Sequence, residues 1–448
     1  MAIAGRIQQR FMNMNIFFDL NPGKPFFILI FCLVGFSTQA SDRPELSLPN
    51  LINLAIEHDP WLDRSRALGH ALSSEAIFVG ELPDPQISAT LLNFPTDTFD
   101  FAQEPMTQIQ FGVTQRFPGG ESRALRRRVK LLQSERQVVD QMTRKKVIEL
   151  QVTDLWLSIH LARSTSQLIN DDRPLFEQLI EVTNASYRSA THQVSQQDLI
   201  RAQIELTKLD DRLLRIKEVE DSRHKELAEW LPIDYLSMRF SWKIPDELTV
   251  SPVPVRDNSR VHNLLSRHPE IRSIDNSIAG KRVEYSLAQE SSKPDWALNA
   301  AYGYRDEDRF GRNLPDFVTL GVTFQLPLFK KNRQNQQILA AADMVSADES
   351  RRLGKLQQLT RRYLKAHATL AALNERLALY RESLLKQMDS LAEASLNAYT
   401  SDEGDFADVA RAYIALLNAK IEVQTIWVSS LKAKAEIRYV ATNQEYAL

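Results

Sequence analysis

Apolar residues recur every three to four positions along much of the chain, in runs that are longer than an ordinary helix. Between Leu356 and Ala398, twelve of the thirteen positions of a strict three-four repeat are apolar or tyrosine. A seven-residue repeat sustained over this length is typical of coiled-coil packing. It predicts a helix from about 330 to 399, roughly 105 Å long at 1.5 Å per residue, and a returning helix from 406 to about 441.

Shorter regions alternate with a period of two instead. In one of them Ile109, Phe111 and Val113 are apolar, whereas the residues between them are small or polar. Two segments of the second half alternate in the same way, and this period is the pattern of a half-buried strand. The sequence therefore predicts four strands, each with one apolar and one small or polar face, at about 84–94, 106–117, 295–305 and 316–327.

The chain is internally duplicated. Three pairs of short motifs recur at a spacing of 209 residues: His58-Asp59-Pro60 with Arg267-His268-Pro269, Gly112-Val113-Thr114 with Gly321-Val322-Thr323, and Pro118 with Pro327. Each half has the same order of a helix, two strands and a long helical hairpin. We predict a first repeat over 41–232 with its hairpin at 121–231, a proline-rich connector over 233–257, and a second repeat over 258–448 with its hairpin at 330–441. Within the first hairpin, Pro174 is expected to distort the helix.

The most apolar stretch of the chain, Pro25 to Phe36, lies near its N-terminus. It follows Lys24 and precedes small residues that end at Ala40, so it predicts a secretory signal peptide over 1–40. The alternative is an N-terminal membrane anchor, for which a run of about 12 apolar residues is short. The single cysteine, Cys32, follows a phenylalanine, which is bulkier than the small residue that precedes a lipidated cysteine.

Composition and motifs exclude several classes of function. The 55 lysines and arginines balance 57 acids for a net charge of −2, so no basic surplus is present to hold nucleic acid. None of the eight histidines pairs with another at helical spacing, which predicts no metal site. No phosphate-binding loop or catalytic motif is present, so the sequence predicts a protein that is not an enzyme and has no cofactor.

Four strands are too few to close a transmembrane barrel, for which about eight is the smallest number. Since an open sheet edge is not tolerated in lipid, an exported chain of this kind must oligomerise if its strands are inserted. Three copies would supply twelve strands, with Gln108, Thr114 and Asn299 among the residues that would face a wet lumen. The alternative is a soluble sheet packed on the helices of a secreted coiled-coil structural or adhesive protein.

With these features the sequence resembles the TolC-like outer membrane factors of tripartite efflux systems. Besides the duplication, the resemblance rests on Leu82-Pro83-Asp84-Pro85, on Tyr187 followed by Ser195-Gln196-Gln197-Asp198, and on Tyr399 followed by Gly404-Asp405-Phe406. It implies a mainly α fold with a small β part, in which a homotrimer forms a twelve-stranded β-barrel continued by an α-barrel across the periplasm. It also implies outer-membrane lipid around the barrel, a periplasmic adaptor (membrane fusion) protein and an inner-membrane RND-type pump. The first turn is closer to the metal-cation export branch than to the multidrug branch.

The resemblance also nominates site residues near the two hairpin turns. Asp408 stands where the family has a lumen-facing aspartate, so three copies would form an acidic ring at the periplasmic entrance. The remaining gate or docking candidates are Tyr399, Asp402, Glu403, Asp405, Arg411, Tyr187, Arg188 and Arg201. The alternative is that these residues form a solvated helix end, in which Asp405 caps the returning helix. The family's glycine three residues after the tyrosine is replaced by Ala190 and Asp402, and the second turn has Gly404 instead.

Overall fold

The computed structural model describes residues 45–188, 196–250, 252, 257–401 and 403–441. Helices dominate these ranges, which confirms the mainly α prediction. They are α1 (Leu48–Glu57), α2 (Pro60–Gly80), α3 (Ser122–Arg188), α4 (Gln196–Glu226), α5 (Asp246–Thr249), α6 (Asn258–Ser266), α7 (Pro269–Glu290), α8 (Gln334–Leu379), α9 (Leu385–Thr400) and α10 (Phe406–Val440). No helix in the described ranges combines the length and the hydropathy that crossing a membrane requires. The signal peptide expected over 1–40 lies outside the described residues.

Four antiparallel strands form a single sheet. They are β1 (Gln86–Leu92), β2 (Gln108–Phe117), β3 (Asp295–Tyr304) and β4 (Phe317–Gln325), and they are hydrogen-bonded in the order β1-β2-β3-β4. The two halves of the chain therefore meet through β2 and β3, where Val113 is paired with Ala300. The outer edges of β1 and β4 have no partner strand within the described chain.

The strand register collects the apolar side chains on one face. Ile87, Val113, Ala300 and Leu320 are aligned across all four strands, and the other rows of this face are also apolar apart from Gln115. The opposite face is small or polar, as the alternation predicts, apart from Leu92 and Phe317 at strand ends. Leu320 remains 79% exposed, because no helix of the described ranges covers the apolar face of the sheet.

The long helices continue the order of the strands. α2 packs on α3, α3 on α7, and α7 on α8, while α10 lies against both α3 and α8. Ion pairs connect α10 to these two neighbours. Lys420 Nζ of α10 is 2.9 Å from the carboxylate of Asp172 in α3. Arg362 of α8 donates to both carboxylate oxygens of Glu436 in α10, at 2.6 and 3.1 Å. α3 alone has 67 residues, which corresponds to about 100 Å of helix.

The second long helix contains a feature that the repeat did not predict. A π-helical turn over Tyr380–Leu384 separates α8 from α9, and such a turn adds one residue to the helix. The buried stripe consequently moves on by one position: Ala392 is 2% exposed, whereas Leu391, on the predicted stripe, is 51% exposed. The predicted strict repeat is therefore wrong between the π-helical turn and Ala398.

The first long helix has a proline at the position that corresponds to this turn. Pro174 lies 209 residues before Ser383, which is inside the π-helical turn. The expected distortion is not a break, since α3 remains helical from Ser122 to Arg188. Both long helices thus depart from regular α-helical hydrogen bonding at equivalent positions. In α3, Pro174 has no N–H to donate, and between α8 and α9 the π-helical turn contains an extra residue.

A core of aromatic side chains lies where the connector packs against the helices. Trp156 of α3 is fully buried and stacks on Trp242, with 5.5 Å between ring centroids. The predicted connector contributes a short turn, Ile233–Ser237, and a parallel bridge between Leu46 and Phe240. The proline-rich segment is therefore part of the packed body of the protein wherever the structure describes it.

The duplicated motifs at the start of α2 and α7 have related structures but different chemistry. Asp59 caps α2 by accepting from the N–H of Leu62 at 2.9 Å, and Arg144 binds its carboxylate at 2.7 Å. In the second half, fully buried His268 takes the capping position of α7. Its Nδ1 accepts from the N–H of Glu270 at 3.2 Å, so its Nε2–H donates to the carbonyl of Tyr439 at 3.1 Å.

Candidate functional site

A tight turn joins α9 to α10 at one end of the second hairpin. The N–H of Ser401 donates to the carbonyl of Asn397 at 3.1 Å, and the N–H of Glu403 donates to that of Ala398 at 2.9 Å. Gly404 follows in close contact with the end of α9. A Cβ at this position would lie 2.8 Å from the nitrogen of Tyr399, so the turn requires glycine at position 404.

We expect Gly404→Ala to destabilise this turn by about 1–3 kcal/mol, the usual cost of overpacking a well-packed site. Gly354→Ala is the matched control, because Gly354 lies inside α8 with open space around its Cβ position, and this change should stabilise the helix by roughly 0.5–1 kcal/mol. Hydrogen exchange of the turn amides and thermal unfolding measure the two effects. Equal behaviour of both variants would contradict the packing at Gly404.

Acidic residues begin the returning helix. The carboxylate of Asp405 accepts from the N–H of Ala407 at 3.2 Å, so Asp405 is the N-cap of α10, as the capping alternative expected. Asp408 is exposed in the first turn of the same helix and forms an ion pair with Arg411, one turn further on. A carboxylate in this position is also stabilised by the helix macrodipole.

An apolar cluster holds the ends of the two hairpins together. Phe406 of α10 is buried against Leu179 of α3 and Ala202 of α4, and Tyr399 packs on this cluster from α9. The rings of Tyr399 and Phe406 meet edge to face, with 6.1 Å between centroids. The hydroxyl of Tyr399 is buried and has no hydrogen-bond partner in the described part of the chain.

The other described candidates differ in how much they contact the rest of the chain. Arg201 directly precedes Ala202 on α4 and has an interaction partner within the protein. Arg188 is exposed at the end of α3, and Glu403 is exposed in the second turn. Asp402, the side chain of Tyr187 and the first turn at 189–195 lie outside the described residues.

Sequence reasoning missed Tyr413, which lies on the same stripe of α10 as Phe406 and Val409. It packs against three neighbouring apolar clusters. Burial raises the pKa of its phenol, and the carboxylates of Asp389 and Glu393 raise it further. The spacing of seven residues from Phe406 was the available signal, since it places both rings on one helix face.

The side chains at this end of the molecule are charged and apolar, and they include no convergent ligand set. Within the described ranges, no three histidine, cysteine or acidic side chains are close enough to hold a metal ion. The arrangement supplies ion pairs within helices, apolar contacts between helices, and an exposed carboxylate. Contacts of these kinds can break and form again without any covalent bond being made or broken.

Comparison with known proteins identifies similar structures, although sequence similarity is low. No family model matches the chain, and no curated protein matches its sequence. The outer membrane protein VceC from Vibrio cholerae is 15% identical, with a TM-score of 0.72 over 88% of this chain and 95% of that chain. The Campylobacter jejuni CmeC outer membrane channel is 13% identical, with a TM-score of 0.71 over 94% of this chain and 93% of that chain.

A third solved structure, the Neisseria gonorrhoeae MtrE outer membrane channel in its open state, is 12% identical, with a TM-score of 0.67 over 88% of each chain. The three matches cover 88–94% of this chain and 88–95% of the compared proteins. These similarities confirm the mainly α fold with a small antiparallel sheet that the sequence resemblance implies for one chain. This chain has the fold of these outer membrane channels.

Proposed function

We propose that three copies of this chain form the outer-membrane exit duct of a tripartite efflux system. Each copy contributes four strands to a twelve-stranded barrel in the outer membrane, and the long helices continue the barrel into the periplasm. The duct conducts its cargo passively from a periplasmic adaptor and an inner-membrane RND-type pump to the outside. The fold shared with VceC, CmeC and MtrE supports this proposal.

The observation that carries the proposal is the uncovered four-stranded sheet. Its apolar face is exposed, with Ile87 at 80% and Leu320 at 79%, and its two edge strands have no partner in the described chain. Such a sheet is unstable in water and incomplete in lipid, because each free edge leaves backbone groups unpaired. Pairing β4 of one copy with β1 of the next satisfies both edges in a closed barrel.

Both faces of the sheet have the chemistry that a membrane channel needs. On the apolar face, Phe117, Trp296 and Phe324 form an aromatic row at the end nearest the helices, as in the aromatic girdles of membrane barrels. On the polar face, Thr114 donates to Asn299 at 2.9 Å, and Asn299 donates to Thr323 at 2.9 Å. This polar row is suited to line a water-filled lumen.

Cell fractionation separates the proposal from its alternative. An exit duct requires detergent for extraction from the outer membrane and migrates as a trimer. A secreted coiled-coil structural or adhesive protein is recovered without detergent and forms no conductance in planar bilayers. Recovery of a soluble monomer would overturn the proposal.

The hairpin end with Asp408 is the proposed periplasmic entrance and docking surface. Three copies of this exposed carboxylate form an acidic ring that attracts cations. We therefore expect Asp408→Ala to raise single-channel conductance or to abolish block by trivalent cations in planar bilayers. Arg411→Gln is the control: it removes the partner of Asp408 and leaves the carboxylate, so block should become stronger. Unchanged conductance and block in both variants would contradict the ring.

The cargo is metal cations or small toxic molecules. A deletion strain exposed to copper, silver, zinc, cobalt and a drug panel distinguishes the two. Selective sensitivity to a metal supports the metal-export branch that the first turn resembles. Sensitivity to drugs alone contradicts that assignment and leaves the duct itself intact.

A further inference from the structure

A cavity of about 280 Å³ lies near the C-terminal end of α10, where this helix meets α1, α3 and α5. One wall is formed by α1, on which Leu48, Ile52 and Ile56 follow each other at intervals of four residues and so share a helix face. Leu248 of α5 adds to the apolar lining, and it belongs with Leu48 to the buried core around Trp156. Part of the cavity wall is therefore the surface of the apolar core.

The facing wall, on α3, carries two opposite charges. Lys146 and Glu149 line the cavity three residues apart, so they lie on the same face of the helix together with Leu150. Both charged side chains are half-buried. Within the described part of the chain, neither forms an ion pair or a side-chain hydrogen bond, with the other or with any further residue. The cavity thus offers one cation and one anion beside an apolar surface.

The other two charged side chains of the cavity are already engaged, since Arg438 binds Glu247 at 3.2 Å. Lys146 is in a less favourable position. Burial lowers the pKa of its amine, the carboxylate of Glu149 raises it in part, and the cation of Arg438 lowers it again. A half-buried ammonium without a bound carboxylate loses hydration that nothing replaces. A ligand that brings a carboxylate to Lys146 and a cation to Glu149 would pair both charges.

We propose that this cavity binds a free α-amino acid with an aliphatic side chain. The carboxylate of the ligand pairs with Lys146, its ammonium pairs with Glu149, and its side chain packs against Ile52 and Leu248. Such a molecule carries both charges on a single carbon atom, as the cavity presents both charges on one helix face. The volume also suits a small ligand, because it lies just below the roughly 300–1,000 Å³ of pockets for larger molecules. The site is built from one chain, so it does not rest on the proposed exit duct.

Calorimetric titration of the full chain in detergent with L-leucine tests the site. We expect saturable binding of one leucine per chain, weakened at least about tenfold by Lys146→Gln and by Glu149→Gln, because each change removes a charge-assisted hydrogen bond. Lys145→Gln is the matched control, since Lys145 directly precedes Lys146 but is exposed and does not line the cavity. No binding by the unmodified protein, or equal binding by all the variants, would overturn the proposal.

Two analogues of leucine, each with a single charge, assign the two contacts separately. Isocaproate is leucine without its ammonium, and isoamylamine is leucine without its carboxylate. The unmodified protein should bind each of them at least about tenfold more weakly than leucine. Glu149→Gln should abolish the preference for leucine over isocaproate, and Lys146→Gln should abolish the preference over isoamylamine. If the unmodified protein binds leucine no better than either analogue, the charged contact in question does not exist.

Glycine tests the apolar wall, because it has both charges and no side chain. It should bind at least about tenfold more weakly than leucine, and Ile52→Ala should weaken the binding of leucine several-fold while leaving that of glycine unchanged. Thermal unfolding shows whether the variants are folded. Leucine should raise the unfolding temperature of the unmodified protein and of Lys145→Gln, but not that of folded Lys146→Gln. Equal affinity for glycine and leucine, or an equal rise in all three proteins, would contradict the site.

Discussion

We expect Leu320→Arg to prevent assembly of the chain in the outer membrane. Leu320 is 79% exposed near the middle of β4, on the apolar face, where it is paired with Ala300. A lipid-facing arginine at the bilayer midplane costs about 2–4 kcal/mol, or roughly 6–12 kcal/mol for three copies. The measurement is the amount of detergent-extracted trimer in the outer-membrane fraction.

Thr319→Arg is the matched control, because Thr319 precedes Leu320 and points to the opposite face of the same strand. An arginine there would project into the lumen and should leave the amount of trimer close to that of the unmodified protein. Equal loss of trimer from both variants would contradict the assignment of the two faces. If neither variant affects membrane recovery, the sheet does not face lipid.

The strands and their faces could be predicted because alternation is a local property of the sequence. Ile109, Phe111 and Val113 point to one side of any strand that contains them. The register between β2 and β3 was not predictable in the same way, since it joins residues of the two halves that are nearly 200 positions apart, such as Val113 and Ala300. Only the folded chain aligns Thr114, Asn299 and Thr323.

The π-helical turn was invisible to the same reasoning. The residues from Leu377 to Ala392 are ordinary helix formers, and leucines occur at both Leu384 and Leu385. The apolar pattern is therefore compatible with two registers around the turn, and packing against α10 selects the later one. The burial of Ala392 and the exposure of Leu391 follow from the later register.

At the hairpin end, the predictable residues were those whose roles are local. Asp405 could be recognised as a helix cap because capping depends on the following two or three residues. The contact between Tyr399 and Phe406 depends on the geometry of the turn, and the cluster with Leu179 and Ala202 depends on how two hairpins pack.

We expect a second large effect, on the free energy of unfolding, from a substitution at the start of α7, where the duplicated motifs differ. The first half caps the equivalent helix with Asp59, whereas the second half uses the buried imidazole of His268. We expect His268→Ala to lower the free energy of unfolding by about 3 kcal/mol near pH 7.5. It removes an N-cap, typically worth about 1 kcal/mol, and leaves the carbonyl of Tyr439 unpaired, which costs about 1–3 kcal/mol.

The stability supplied by His268 should also depend on pH, with a definite sign. Burial lowers the pKa of its imidazole, and the cations of Lys146 and Arg362 lower it further, although the carboxylate of Glu270 and the carbonyl of Tyr439 oppose the shift. The folded state therefore holds the neutral ring, while the unfolded chain takes up a proton near pH 6.5. This contribution is complete above about pH 6.5. As the pH is lowered further, it falls by about 1.4 kcal/mol per pH unit until the pH reaches the pKa of His268 in the folded state.

His268→Asn separates the cap from the titration. Asparagine is also a good N-cap but has no titrating group, so this variant should be more stable than His268→Ala and should lack the loss of stability just below pH 6.5. Any remaining loss at lower pH would come from carboxylates such as Glu270, whose burial raises its pKa but whose bonds to Lys355 and Tyr439 lower it overall. Denaturant unfolding of the three proteins from pH 5 to 8 measures the difference. Parallel curves for all three would show that His268 takes up no proton on unfolding.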